Sequence, residues 1–348
     1  EIIMRKLLLG TTALAAAASL SANVAVADIS ISGGFDWSYS STSSNITAND
    51  GTSFGTDSEI AFKFSNKTDS GLDIGWVVEL ETDDGDTAIN ESSLSIAGGF
   101  GKVVLGGNDG AGEDYGVAAT DLPGEEIYAT GTDELTLTKP DISAMSGDAN
   151  KISYHLPAMG GLTAGVSFAN SGPTGATDTT GFGAKYTMSA GGAAITIGAA
   201  TVTTEAPSQD TDSQVMGIKV SSGNITAAVS QSTYEGAATA ATAATANGTA
   251  SNYAAAIPGT AASDEESTGA AVSFAVNDGM TITVHTAETD DAITSEEYSN
   301  SGIEVKYSVA PGLTVFANVE DYDYKVGSSS NTVADSGTAS KLTIVASF

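Results

Sequence analysis

The sequence predicts an all-β protein, a transmembrane antiparallel β-barrel of about sixteen strands. Three observations predict it. Apolar and polar residues alternate with a period of two along most of the chain from Asp28 to Phe348, the signature of strands with two different faces. These segments are joined by seven tight turns that alternate with eight longer, polar connections. Beyond the N-terminal segment, no stretch approaches the roughly 18 apolar residues of a membrane helix, so a chain that crosses a membrane must do so with strands.

Composition bounds the partners. The 348 residues carry 12 Lys+Arg against 43 Asp+Glu, a net charge of −31, which repels phosphates and argues against nucleic acid. The same charge suits a surface that handles cations or binds calcium. Cysteine is absent, which excludes a disulfide framework and a thiolate metal site. The segment "MRKLLLGTTALAAAASLSANVAVA" sets Arg5 and Lys6 before an apolar run that ends in Ala25-Val26-Ala27. It reads as a secretory signal peptide over 1–27, cleaved before Asp28, with the barrel over 28–348. No Arg follows residue 27.

The strands follow in order. "DISISGGFDWSYS" places Ile29, Ile31, Phe35, Trp37 and Tyr39 on one face and Ser30, Ser32, Asp36 and Ser38 on the other. "SEIAFKFSN" sets Ile60, Phe62 and Phe64 against Glu59, Ala61 and Lys63. A "KTDSG" turn leads into "LDIGWVVELE", where Leu72, Ile74, Trp76, Val78 and Leu80 oppose Asp73, Gly75, Glu79 and Glu81. "ESSLSIAGGFGKVVLGGN" reads as two strands folded about Phe100-Gly101. Five hairpins come after the long connection 109–149, turning at 159–161, Gly191-Gly192, Gly223-Asn224, 277–279 and 310–312, and "SKLTIVASF" is the last strand. The longer connections are expected near 40–53, 82–90, 109–149, 170–180, 204–212, 235–267, 286–298 and 324–338. The Ala/Thr-rich run 236–262 lacks long apolar side chains and reads as an external loop.

Short turns at one end and long loops at the other is the organisation of an outer-membrane barrel, with both termini on the short-turn side. The two faces then acquire directions. One is large and apolar; the other mixes Gly, Ser, Thr and Ala with the single charges Asp36, Lys63, Glu79, Lys185, Lys219, Glu304, Lys306 and Lys341. Sixteen strands enclose a lumen too wide for side chains to fill. The polar face therefore meets water in the lumen, and the apolar face meets lipid. Trp37, Tyr39, Tyr154, Tyr186, Tyr307 and Phe348 share the apolar parity, several of them near strand ends, as an interfacial girdle requires.

"TDSGLDIGWVVELE", "SLSIAGGFGKVVLGG" with its following acidic loop, and the terminal Phe348 resemble the general diffusion porins of Gram-negative bacteria, particularly those of alphaproteobacteria. The similarity of strand and turn order spans 28–348, while the long loops do not match. The resemblance implies a multi-pass outer-membrane barrel, a homotrimer, and a third loop over 109–149 folded inward to constrict each pore. It implies passive diffusion of small hydrophilic solutes and ions, with no enzymatic activity and no required cofactor. It makes Phe348 the recognition mark for membrane insertion. Among the loop acids it points to Glu113, Asp114, Asp121, Glu125, Glu126, Asp133 and Glu134 as candidates for the constriction. The family sets basic residues, often Arg, on the facing wall. With no Arg here, Lys63 and Lys341, which have lumen parity on strands two and sixteen, are the candidates. An acidic opening so weakly balanced leads to an expectation of cation selectivity.

Other chemistry is thinly supported. His155 and His285 have lumen parity in Ser/Thr-rich strands, and no G-x-S-x-G elbow accompanies them. "GGNDGAGED" over 106–114 and "TDDGD" over 82–86 offer carboxylate and carbonyl ligands for Ca²⁺, though as single copies they cannot stack into a calcium-binding solenoid. No P-loop, dinucleotide fingerprint or H-E-x-x-H occurs. The alternative reading is a secreted, acidic, calcium-binding surface or adhesive β-protein, which predicts no closed barrel.

Overall fold

The computed structural model describes residues 28–46, 50–82, 89–124, 149–170, 172, 177–206, 209–236, 263–293, 297–326 and 333–348. The candidate signal peptide, the Ala/Thr-rich segment 237–262 and the second half of the third loop lie outside them. Sixteen strands form one sheet: β1 (Asp28–Ser44), β2 (Gly51–Lys67), β3 (Asp73–Glu81), β4 (Ile89–Gly98), β5 (Gly101–Gly107), β6 (Asn150–His155), β7 (Leu162–Asn170) and β8 (Asp178–Ala190) make the first half. The second half is β9 (Ala193–Ala206), β10 (Gln209–Ser222), β11 (Ile225–Gly236), β12 (Ser263–Asn277), β13 (Met280–Asp291), β14 (Glu297–Ala310), β15 (Leu313–Val326) and β16 (Val333–Ser347).

Every strand pairs antiparallel with its sequence neighbours, and β1 pairs with β16, so the barrel is closed. Closure leaves no unpaired edge, which is what allows a sheet to sit in lipid. The seam is sealed where Phe348 N donates to Gly33 O at 2.9 Å and Gly33 N donates to Phe348 O at 3.2 Å. This closed sheet is the feature that the secreted adhesive reading does not predict.

The distribution of exposure is inverted relative to a water-soluble core. Large apolar side chains such as Ile152, Phe168, Phe182, Met216, Val229 and Val284 are exposed, while Ser153, Ser167, Thr283, Thr343 and Glu304 of the opposite parity are buried. The outward side chains therefore form a lipid-facing surface. Aromatic pairs strengthen it: Phe64 stacks on Trp76 with centroids 4.8 Å apart, and Trp37 on Phe54 at 5.6 Å.

At the short-turn end, five connections are two residues long, as in Gly191-Gly192. There both residues have positive φ, 60° and 86°, the backbone of a hairpin turn whose twist matches the flanking strands. At the other end, the strands run further than the hydrophobic alternation suggests. β1 continues to Ser44 and β2 starts at Gly51, where a loop over 40–53 is expected. Only 207–208 separate β9 from β10, in place of 204–212. In these extensions the outward residues are polar or acidic: Glu205, Asp210, Asp212, Glu266, Glu288 and Asp290. Beyond the lipid both faces meet water, so the hydrogen-bond ladder continues after the apolar period has stopped.

Candidate pore constriction

The third long connection begins at Asn108, and its described part runs to Gly124. Its start is tied to β6, where Lys151 Nζ donates to Asn108 O and Ser153 Oγ to Asn108 Oδ1 at 3.1 Å. A short helix, α1 (Ala111–Tyr115), packs against β6 to β9, and a single 3₁₀ turn at Ala119–Asp121 packs against β10 to β13. Gly124 then reaches Glu304 on β14 and the ring of Phe316 on β15. The side chains contacted have lumen parity, opposite to the exposed apolar surface. Meeting strands from β6 to β15 within so few residues requires a path through the interior of the barrel.

The wall is shaped to receive this path. Gly165 faces Gly183 on β7 and β8, and Gly198 faces Gly217 on β9 and β10, all with lumen parity. A Cβ at Gly165 would stand 2.7 Å from the Tyr115 ring, one at Gly183 2.5 Å from Ala111 O, and one at Gly198 2.6 Å from Tyr115 O. At Gly217 it would collide with Val117 O. The missing side chains form a groove that seats 111–117. Ala119, Ala228 and Ala271 continue the contact in one packed cluster.

Irregular backbone in the lumen needs partners for its N–H groups, each of which would cost about 1–3 kcal/mol if buried without one. Wall side chains supply them. Ala111 N donates to Ser167 Oγ at 3.0 Å, where Gly110 offers no capping side chain, and Ala119 N donates to Ser230 Oγ at 2.9 Å. Gly124 N donates to Glu304 Oε1 at 2.9 Å. At the C-terminal end of α1, Lys185 Nζ donates to Asp114 O at 3.1 Å, a cation where the helix carbonyls point. Tyr115 Oη lies 2.8 Å from His155 Nδ1. Burial, and then the Asp114 carboxylate, hold the Tyr115 phenol above its ordinary pKa, so it keeps its proton at neutral pH.

The candidate residues are distributed unevenly. Asp114 and Asp121 are exposed on the loop and Glu113 is half-buried. Glu125, Glu126, Asp133 and Glu134 lie outside the described residues. Lys63 is exposed on β2 and Lys341 half-buried on β16. Lys185 on β8 meets the described part of the loop, and Lys219 lies on β10, another strand that seats it. Lys306 lies over the Phe316 ring, 5.2 Å from its centroid. Glu304 is buried and engaged with the loop.

On β1 to β4, carboxylates stand opposite one another on the lumen face, with Lys63 on the same face of β2. Asp36 stands opposite Asp57, Glu59 opposite Glu81, and Glu79 opposite Glu91. These pairs share lumen parity across β1 to β4; Glu79 and Glu91 are buried and the other four half-buried. The histidines have structural partners. His155 meets Tyr115, and His285 Nε2 lies 3.4 Å from Glu320 Oε2. Gly302 stands between the latter two on β14, and a Cβ there would lie 2.8 Å from His285 Nε2, so its absence lets the contact cross a strand. Tyr298 and Asn300 also donate to Glu320. Residues 106–114, one candidate calcium segment, end β5 and enter α1, and residues 83–86 of the other lie outside the described residues. Among the described residues, no three Asp, Glu or His side chains are arranged to hold a metal ion.

Sequence reasoning missed the glycine groove, Lys151 and Glu320. The groove had a signal: glycines at lumen parity in four successive strands, each in a position where a strand gains nothing from Gly.

Comparison with known proteins agrees with this architecture. The family model described as Gram-negative porin matches residues 10–327. No curated protein sequence matches the chain. OmpT, an outer membrane protein of Vibrio cholerae solved in a trimer form, is similar with a TM-score of 0.65 at 13% identity, over 92% of this chain and 99% of that one. The anion-selective porin of Comamonas acidovorans gives 0.65 at 16% identity, over 93% and 100%. A variant of the Rh. blastica porin gives 0.59 at 15% identity, over 92% and 100%. At such identities these structures bear on the fold, while the family match spans most of the chain. A closed barrel of sixteen strands, apolar outside and polar within, with a loop laid across its lumen, is the structure of a channel through an outer membrane, and the chain belongs to the Gram-negative porin family.

Proposed function

We propose that the protein is a homotrimeric, cation-selective diffusion channel for small hydrophilic solutes and ions. The observation that supports cation preference is the pairing of carboxylates across β1 to β4. Six carboxylates on one stretch of the lumen face concentrate negative charge there, and such a field favours cations over anions. The exposed Asp114 and Asp121 add negative charge on the loop side. Passage needs no chemical step: the opening selects by size, and its field enriches cations over anions. The anion-selective neighbour shows that the fold alone sets no sign, which is why wall charge decides it.

Planar-bilayer recording in a salt gradient tests this. The reversal potential should have the sign for cations and move toward zero when Asp36→Asn, Asp57→Asn and Glu59→Gln are combined. An anion-signed potential in the unmodified channel would overturn the selectivity. The trimer form of OmpT supports the same assembly here. An SDS-resistant oligomer that dissociates only on boiling is the expected result, and a monomer in mild detergent contradicts it.

A further inference from the structure

We propose that the lumen wall is bipolar along its axis, lined by lysines at the short-turn mouth and by carboxylates toward the long-loop mouth, and that the channel therefore conducts asymmetrically. This rests on the channel reading and goes beyond it, since a preference for cations carries no direction.

The short turns lie at one end of the barrel, so the distance of a residue from the short-turn end of its strand measures its depth in the lumen. Among the described residues, every strand lysine with lumen parity stands within six residues of that end. Lys102 follows Gly101, where β5 begins, and Lys219 is three residues from Ser222, where β10 ends. Lys63, Lys185 and Lys306 stand slightly higher on β2, β8 and β14. The lumen-facing carboxylates begin at six residues, where the lysines stop. Asp36 and Glu59 stand eight residues above the short-turn end, Asp57 ten, and Glu265 and Asp335 twelve. Two exceptions lie at the mouth itself: Asp28, and Asp73, which is ion-paired with Lys67 at 3.1 Å. Asp69 and Asp278 belong to the turns, beyond the strands. At the opposite end, Lys325 has outward parity and pairs with Glu297.

On β2 both zones occupy one face, with Lys63 and Asp57 about 20 Å apart along the strand. The screening length is about 10 Å at 0.1 M salt and about 3 Å at 1 M, so in dilute salt the two zones act as separate fields in series. With the long-loop side positive, cations are driven in through the acidic zone and anions in through the lysine zone. Each ion enters through the zone that favours it, and mobile charge accumulates between them. Reversing the voltage drives each ion in through the zone that repels it, and the lumen is depleted.

Single-channel recording in about 0.1 M salt tests this. Ser70→Cys in an exposed short turn, biotinylated and bound by streptavidin from one chamber, identifies the chamber that the short turns face. We expect about twice the current when the long-loop side is positive, and near-equal currents in about 1 M salt. Lys63→Gln, Lys102→Gln and Lys219→Gln change exposed side chains, while Lys185 and Lys306 keep their contacts with Asp114 O and the Phe316 ring. Combined, the three should bring the current ratio toward one and make the reversal potential more cation-signed. Lys219→Gln alone should give part of both shifts and serves if the triple variant fails to assemble. Asp36→Asn, Asp57→Asn and Glu59→Gln should also bring the ratio toward one, but move the reversal potential the opposite way. Equal currents at both polarities in dilute salt overturn the bipolar wall, as does a larger current with the long-loop side negative. Asymmetry that survives removal of the lysines also overturns it, because pore shape would then be the cause. An anion-signed reversal potential with the asymmetry intact overturns the cation-selective reading alone, and absence of any channel overturns the channel reading itself.

Discussion

Gly198 and Gly217 face each other across β9 and β10, and their missing Cβ atoms give Val117 its place against the wall. Gly in a strand interior normally weakens it, through lost packing and a larger unfolded-state entropy. Here that cost is offset by the close approach of another backbone. Gly217→Val should therefore leave the strand ladder in place and displace 115–118 from the groove. Forcing a branched side chain into so tight a contact costs about 1–3 kcal/mol. The expected readout is a reduced single-channel conductance in a barrel that still migrates as a folded species. Unaltered conductance would show that the groove does not position the loop. Glu320 illustrates a different residue-scale logic. It is 1% exposed, and donors from Tyr298, Asn300 and the His285 contact make burial of its carboxylate tolerable.

At the scale of the strand, parity decides which solvent a residue meets. In β13, Ile282 and Val284 point outward while Thr283 and His285 point into the lumen. Val284→Arg should impair membrane assembly, since a lipid-facing Arg costs about 2–4 kcal/mol at the bilayer midplane. Lys219→Glu in β10, with lumen parity, should assemble normally and increase the cation preference. Quantifying folded barrel in the outer-membrane fraction and measuring reversal potential separate the two. Equal assembly defects would refute the assignment of faces. The strand extensions show the limit of parity as a guide. From Glu288 to Asp291 both faces of β13 carry polar side chains, yet the ladder with β12 and β14 continues.

At the scale of the whole molecule, closure is the condition for residence in lipid. The last residue completes it: Phe348 exchanges two backbone hydrogen bonds with Gly33 on β1, and its ring stands exposed on the outer surface. Deletion of Phe348 should lower the yield of heat-modifiable barrel in the outer membrane, by removing the final pair of the seam and an exposed aromatic at its end. Phe348→Tyr should retain both. Normal insertion of the deleted chain would remove any special role for this residue. Charge acts at this scale too. The acids of β1 to β4 and of the loop lie on opposite sides of the opening, so raising ionic strength, which screens fixed charge, should weaken the selectivity.

The sequence by itself determined the number of strands, their order and their faces, because a period of two and the spacing of turn residues are local properties. It also singled out Asp114 and Asp121 as loop acids and marked Glu304, Lys185 and Lys219 as lumen-facing. It overstated several loops, since hydrophobic alternation reports contact with lipid and the strands continue past it. Only the tertiary structure decided what the lumen side chains do. It placed Lys185 beneath α1, Glu304 on Gly124, and glycines from four strands side by side. These relations join residues tens to hundreds of positions apart in the chain. A lone Gly or Glu in an alternating segment carries no mark of them; closing the sheet into a barrel brings them together.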